Sequence, residues 1–120
     1  MKYLPALEAL ADVIRDAGIR ATLDTNTINA PGVLVTPGAL TLETLTGATH
    51  ATAYVAIVAP ALDETHAYAV LDTMLAPVVT ALEAAGYPIT AGEPVTIGGS
   101  PTTGTPLPAI RLTTEIYLGD

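Results

Sequence analysis

Few side chains in this chain could do covalent or acid–base chemistry, and they are scattered. His50 and His66 are the only imidazoles and there is no cysteine, so nitrogen-based metal ligation or proton transfer would rest on those two residues. His66 follows Asp63 and Glu64 closely, yet a metal site gathers three or four converging ligands and no second His stands at helical spacing from it. It reads as a polar residue near a helix start. Ser100 is the single serine and lies in a Gly-Gly-Ser-Pro setting. A nucleophile elbow needs glycine two residues before and two after the serine; here Thr102 takes the second place. The segment Gly98 to Gly104 fails as a phosphate loop as well, because no lysine follows its last glycine and no helix begins there. No pair of carboxylates is singled out for hydrolysis, and without Trp or Phe there is no broad aromatic platform for a sugar. The expectation is a protein that is not an enzyme and holds no cofactor and no metal.

Composition points instead to contacts with other chains. Half of the 120 residues are apolar but there is no Phe, Trp or Cys, so the core must be aliphatic. Only 13% of residues are charged, and a mean hydropathy of +0.49 leaves apolar surface for partners. The net charge of −8 sets 12 acids against Lys2, Arg15, Arg20 and Arg111. Four scattered cations cannot neutralise a run of phosphates, so nucleic-acid binding is not expected. The lack of cysteine removes disulfides and thiolate metal sites. Every apolar run of membrane-spanning length is interrupted by polar residues, and the N-terminus lacks a signal-like core, so the expectation is a soluble, uncleaved chain with no membrane partner.

The elements that must position these residues are organised around Asp63 to Gly86, the longest stretch with helical period. Ala67, Leu71, Met74, Leu75, Val78, Leu82 and Ala85 gather on one side, with Thr65, Asp72, Ala76 and Glu83 opposite. Asp63 is placed to cap it, Glu64 favours its positive end, and Gly86 before Tyr87-Pro88 stops it. Pro77 removes one backbone donor and is expected to bend the helix near Thr73. A first helix begins at Pro5 and carries Leu7, Leu10, Ala11, Ile14 and Ala17 inward, with Glu8, Asp12, Arg15 and Asp16 outward and Arg15 in reach of Asp12.

The remainder reads as strands. Ile19, Ala21 and Leu23 alternate up to Thr25, a loop spans Asn26 to Pro31, and Gly32 to Thr36 is a buried strand stopped by Pro37-Gly38. Leu40 and Leu42 begin a separate strand reaching about Leu45, before a turn at Thr46-Gly47-Ala48. Thr49 to Ala59 is apolar on both faces and belongs in the middle of a sheet, covered by a helix on one side and by a second layer or a neighbouring subunit on the other. Val95 to Ile97 and Pro108 to Leu118 complete the set, the latter with Ile110, Leu112, Thr114 and Ile116 on one face. Gly98, Gly99, Ser100, Pro101, Thr102, Thr103, Gly104, Thr105 and Pro106 between them are turn formers, expected as an exposed hairpin loop and a possible interface or lumen loop. The fold class is therefore α+β, a mainly antiparallel β-sheet packed by two helices in a single compact domain over residues 1–120, with the long helix clamping strands near Val33, Val55, Val95 and Leu112.

This order (helix, three strands, a long strand, the long helix, two strands), together with Ala30-Pro31-Gly32-Val33-Leu34-Val35-Thr36-Pro37-Gly38, resembles the tail terminator proteins of long-tailed bacteriophages, and the likeness spans nearly the whole chain. The resemblance implies a structural virion protein: a ring, hexameric in that family, that caps the tail tube and receives the head-completion (neck) protein. Its partners would be further copies of itself, the tail tube protein and the neck protein, with DNA only as passing, non-specific cargo. It would be assembled in the host cytoplasm and reside in the virion tail. An acidic chain suits a lumen through which phosphates must slide. The alternative is a small dimeric α+β binding protein or another neck or tail-completion protein.

Overall fold

A computed structural model of the chain describes residues 3–23, 31–42, 49–59, 64–97 and 107–119. The first helix, α1 (Tyr3–Asp16), buries Leu7, Leu10, Ala11 and Ile14 and leaves Glu8, Asp12 and Asp16 exposed. Arg15 sends Nη1 to Asp12 at 2.9 Å and lies 3.6 Å from Glu8, while its Nε donates to the Ala21 carbonyl at 3.0 Å. One side chain thus ties the last turn of the helix to the strand that follows. Ala17, expected on the buried stripe, is exposed because the chain leaves the helix at Asp16.

The long helix, α2 (Glu64–Ala84), runs through Pro77 and ends as α1 does. Gly18 and Gly86 adopt φ of +85° and +88°, a region that an L side chain enters only at a cost. In α1 the Gly18 N–H reaches the Arg15 carbonyl and Ile19 N–H the Ile14 carbonyl; in α2 Gly86 N–H reaches Glu83 and Tyr87 N–H reaches Leu82. Each is a Schellman close that satisfies the orphan carbonyls of the last turn, and Ile19 and Tyr87 then pack against the core. Asp63, the expected cap, lies outside the described residues. Thr73 Oγ1 donates to the Val70 carbonyl at 2.7 Å, just upstream of Pro77. Ala67, Leu71, Val78 and Leu82 are fully buried, Met74 and Leu75 only partly, and Ala85, beyond the last helical residue, is exposed.

Five strands form one sheet: β1 (Ala21–Thr22), β2 (Gly32–Leu42), β3 (Thr49–Val58), β4 (Ile89–Ile97) and β5 (Leu107–Gly119), in the order β1-β2-β3-β5-β4. All neighbours are antiparallel except β1 with β2. β3, α2 and β4 make a split βαβ unit, with β5 inserted between the two strands that the helix joins. The most apolar strand, β3, lies centrally as its two-faced pattern requires.

Three strand expectations are corrected. The two strands expected either side of Pro37-Gly38 are one, β2, which crosses the dipeptide with a register shift between Pro37 and Leu40. Among the described residues β1 pairs only with Val33 and Leu34, so β2 has a single described partner at Pro37, and a missing donor there breaks no described ladder on the other side. Gly38 is needed because β3 comes so close: a Cβ there would meet the Thr52 carbonyl oxygen at 2.8 Å. The first strand, expected to reach Thr25, is confined to Ala21 and Thr22. Finally, β4 begins at Ile89 instead of Val95, because β5 supplies partners as far as Thr114.

Helices cover one face of the sheet. Leu7, Leu10 and Ile14 of α1 and Leu71, Val78 and Leu82 of α2 pack on Val33, Val35, Val55, Ile57 and Leu112. A second cluster on the other face joins Leu34, Ala56, Val58, Leu107 and Ala109, with Val95 and Ile97 against it. The strand near Val95 meets the helix-side core through Ile89, as expected, while Val95 itself turns to the second cluster. It pairs with Ala109, one residue off the Ile110 face, and a one-residue step along a strand reverses the side a residue faces.

Candidate functional site: the sheet face opposite the helices

Strand register brings together residues that sequence separation keeps apart. Ala56, Arg111 and Glu93 form one cross-strand row, and Thr36, Tyr54, Thr113 and Ala91 form the next. Further along lie Thr52 opposite Glu115, then His50 opposite Tyr117. Among the described residues no helix packs on this face.

Arg111 is its organising side chain. The guanidinium carbon sits 4.4 Å from the centroid of the Tyr54 ring, within cation–π range, and Nη2 is ion-paired with Glu93. Its Nε is buried and has no hydrogen-bond acceptor, a state that carries a free-energy cost unless a further group arrives. Thr36, Thr52, Tyr54 and Thr113 are half-buried in the single chain, and Tyr117 is 58% exposed. Such a mixture of aromatic, threonine and arginine suits a protein contact: amphipathic rings bring area, and the guanidinium brings directional donors.

A second surface lies on the outer side of α2. Tyr68 is 49% exposed, and His66, Ala69, Val70 and Thr73 line a shallow, mainly apolar groove beside it. Thr65, Asp72, Ala76 and Glu83 are exposed, as their spacing predicts. The stretch Thr65–Ala84 is long and apolar enough to cross a membrane by length and composition, although Asp72 and Glu83 interrupt it as expected. Leu71, Val78 and Leu82 nevertheless pack on the sheet, so the helix has an apolar face to spare after its core face is satisfied.

His50 stands near the start of β3 and His66 in the first turn of α2. The described residues contain no group of three or more His, Asp or Glu side chains placed to hold a metal ion. Gly98 through Pro106, the expected interface or lumen loop, lies outside the described residues; its flanks pair as a hairpin, Ile97 with Leu107. The Arg111, Tyr54 and Glu93 trio escaped sequence reading because its members are on three strands, and no local spacing encodes which strands become neighbours. The two-sided apolar pattern of β3 was the one sequence signal for this face. No protein-family model matches the chain, and no curated protein matches it.

Proposed function

We propose that the chain is a non-enzymatic structural protein of a phage virion, a tail terminator that forms a ring on the tail tube and joins it to the neck protein while DNA passes through the lumen. The observation that carries this reading is aromatic and apolar surface exposed on both layers of one small domain, at Tyr117 on the sheet and at Tyr68, Ala69 and Ala76 on α2. A domain with two spare faces is suited to repeated contact with copies of itself. The order helix, three strands, long helix and two strands is one strand shorter than the sequence implies, and it keeps the α+β layout of the resemblance. Net charge of −8 favours free passage of DNA over retention.

Light scattering on the purified protein, alone and mixed with tail tube and neck proteins, together with particle images, tests the proposal. The expected result is a ring with a DNA-sized hole, of six subunits if the family pattern holds. A chain that remains monomeric with both partners present overturns it, and a stable dimer that ignores both partners favours the small binding protein instead.

A further inference from the structure

Pro37 lies in β2, Pro94 in β4 and Pro108 in β5, and the ladder determines which way each backbone points. Residues along an antiparallel strand turn their N–H and C=O alternately to one neighbour and to the other. Ala59 N–H donates to the Pro108 carbonyl, so Pro108 and Ile110 turn toward β3 while Ala109 and Arg111 turn toward β4. Their partners Val95 and Glu93 therefore point inward. Gly92, Pro94 and Thr96 point to the open side of β4, which ends the sheet among the described residues. Val33 N–H reaches the Arg20 carbonyl, which puts Val35 and Pro37 in the same outward phase on β2.

We infer that Pro94 guards the open edge of the sheet against a second copy, removing the central donor from an antiparallel β4-to-β4 pair and setting its ring where that hydrogen bond would form. β4 is otherwise a strand that invites addition. Ala91, Gly92, Glu93, Pro94 and Thr96 are exposed, Val95, Thr96 and Ile97 are β-branched, and Glu93, the only charge on the strand, is ion-paired with Arg111. Two copies related by a twofold axis at residue 94 would align Gly92 with Thr96 and residue 94 with itself, each a hydrogen-bonded pair. With proline at 94 the middle pair has no donor on either copy, and two rings face each other there. Pro37 and the register shift that follows it do the same for β2 beyond the end of β1.

Direction separates a guard from a proline that is merely tolerated. Pro108 turns inward beside Ala59, just past the last residue of β3, and has no edge to protect. A β4-to-β4 pair is isologous and stops at a dimer. With it blocked, copies cannot join into one continuous sheet at β4 and are left to meet through side chains. The guard acts in a monomer and in a ring alike, so its failure and that of the ring reading are separate.

Pro94→Thr restores the donor, and Pro94→Ala does the same should the threonine variant fail to fold. Sedimentation at rising concentration is expected to show Pro94→Thr associating to about twice the parent's mass. Amide hydrogen exchange at Gly92 and Thr96, the outward donors, should slow as it does so. Moving the proline to the next outward position, Pro94→Thr with Thr96→Pro, is expected to return the parent's mass, which a general loss of stability would not do. Pro108→Thr, facing inward, should also keep it. A Pro94 variant with the parent's mass and fast exchange at Gly92 and Thr96 overturns the guard, as does equal association by the double variant or by Pro108→Thr. A parent whose own assembly already protects Gly92 and Thr96 overturns it as well, because the edge is then in use.

Discussion

The Thr114 hydroxyl donates to the carbonyl oxygen of Pro88 at 2.6 Å, joining the exit of α2 to the strand beside β4. Thr114 is the buried polar side chain of the described core, on the same face as Leu112 and Ile116, and this bond is what makes its burial tolerable. Thr114→Val keeps the shape and removes the donor. Because Pro88 is exposed, its carbonyl can turn to water, so the expected loss is a hydrogen bond of about 0.5–1.5 kcal/mol without a stranded buried acceptor. Thr114→Ala should cost more, since a methyl is lost as well. Urea unfolding with unchanged m measures both, and a Thr114→Val protein as stable as the parent would show that the bond contributes nothing.

Core anchors of α2 should respond according to their burial. Leu71 and Val78 are fully buried, so Leu71→Ala is expected to cost about 2–5 kcal/mol. Val78→Asp, which buries a carboxylate among aliphatic side chains, should prevent folding. Leu75 is only partly buried, and Leu75→Asp should be milder than Val78→Asp. Far-ultraviolet circular dichroism with thermal melts ranks the three, and a folded Val78→Asp protein would contradict the assigned core face.

How legible the fold was follows from which signals are local. The stripe of α2 was readable because Ala67, Leu71, Val78 and Leu82 repeat within one element, and the stops at Gly18 and Gly86 because a positive φ is a property of single residues. Pro37 misled for the opposite reason. A proline breaks a strand flanked on both sides, and only the sheet order reveals that β2 has one partner there among the described residues. The side that Val95 faces was not legible, because three apolar or β-branched residues in a row do not state their own register. The Arg111 site was beyond reach, since Tyr54, Glu93 and Arg111 meet only after three strands have been aligned.

Two glycines should fail differently when replaced by alanine. At Gly86 a Cβ meets nothing within 4 Å, so Gly86→Ala suffers only from the left-handed backbone, at roughly 1–2 kcal/mol. At Gly38 the backbone is ordinary but the Cβ would stand 2.8 Å from the Thr52 carbonyl, a backbone atom that cannot swing aside. Gly38→Ala must therefore push β2 from β3 at the bulge. Amide hydrogen exchange separates the two effects: faster exchange confined to the end of α2 for Gly86→Ala, and loss of protection in β2 and β3 for Gly38→Ala. Identical exchange patterns would refute the distinction.

The two partners of Arg111 should be separable by salt. Its side chain is 37% exposed and that of Glu93 is 53% exposed, so their pair is screened and contributes about 0.2–1 kcal/mol at low ionic strength. Stacking on Tyr54 is shorter in range and partly shielded, with an expected contribution of about 0.5–1 kcal/mol. Double-mutant cycles with Arg111→Gln, against Glu93→Gln and against Tyr54→Leu, yield the two coupling energies. Raising salt from low to about molar concentration, where the Debye length falls to roughly 3 Å, should diminish the Glu93 coupling and leave most of that to Tyr54. Arg111→Lys tests the same point by shape: it keeps the charge near Glu93 but loses the planar group that lies over the ring, so it should retain the salt-sensitive coupling and forfeit the other. A Tyr54 coupling that vanishes with salt in parallel with that of Glu93 would mean that the stack adds nothing beyond the ion pair.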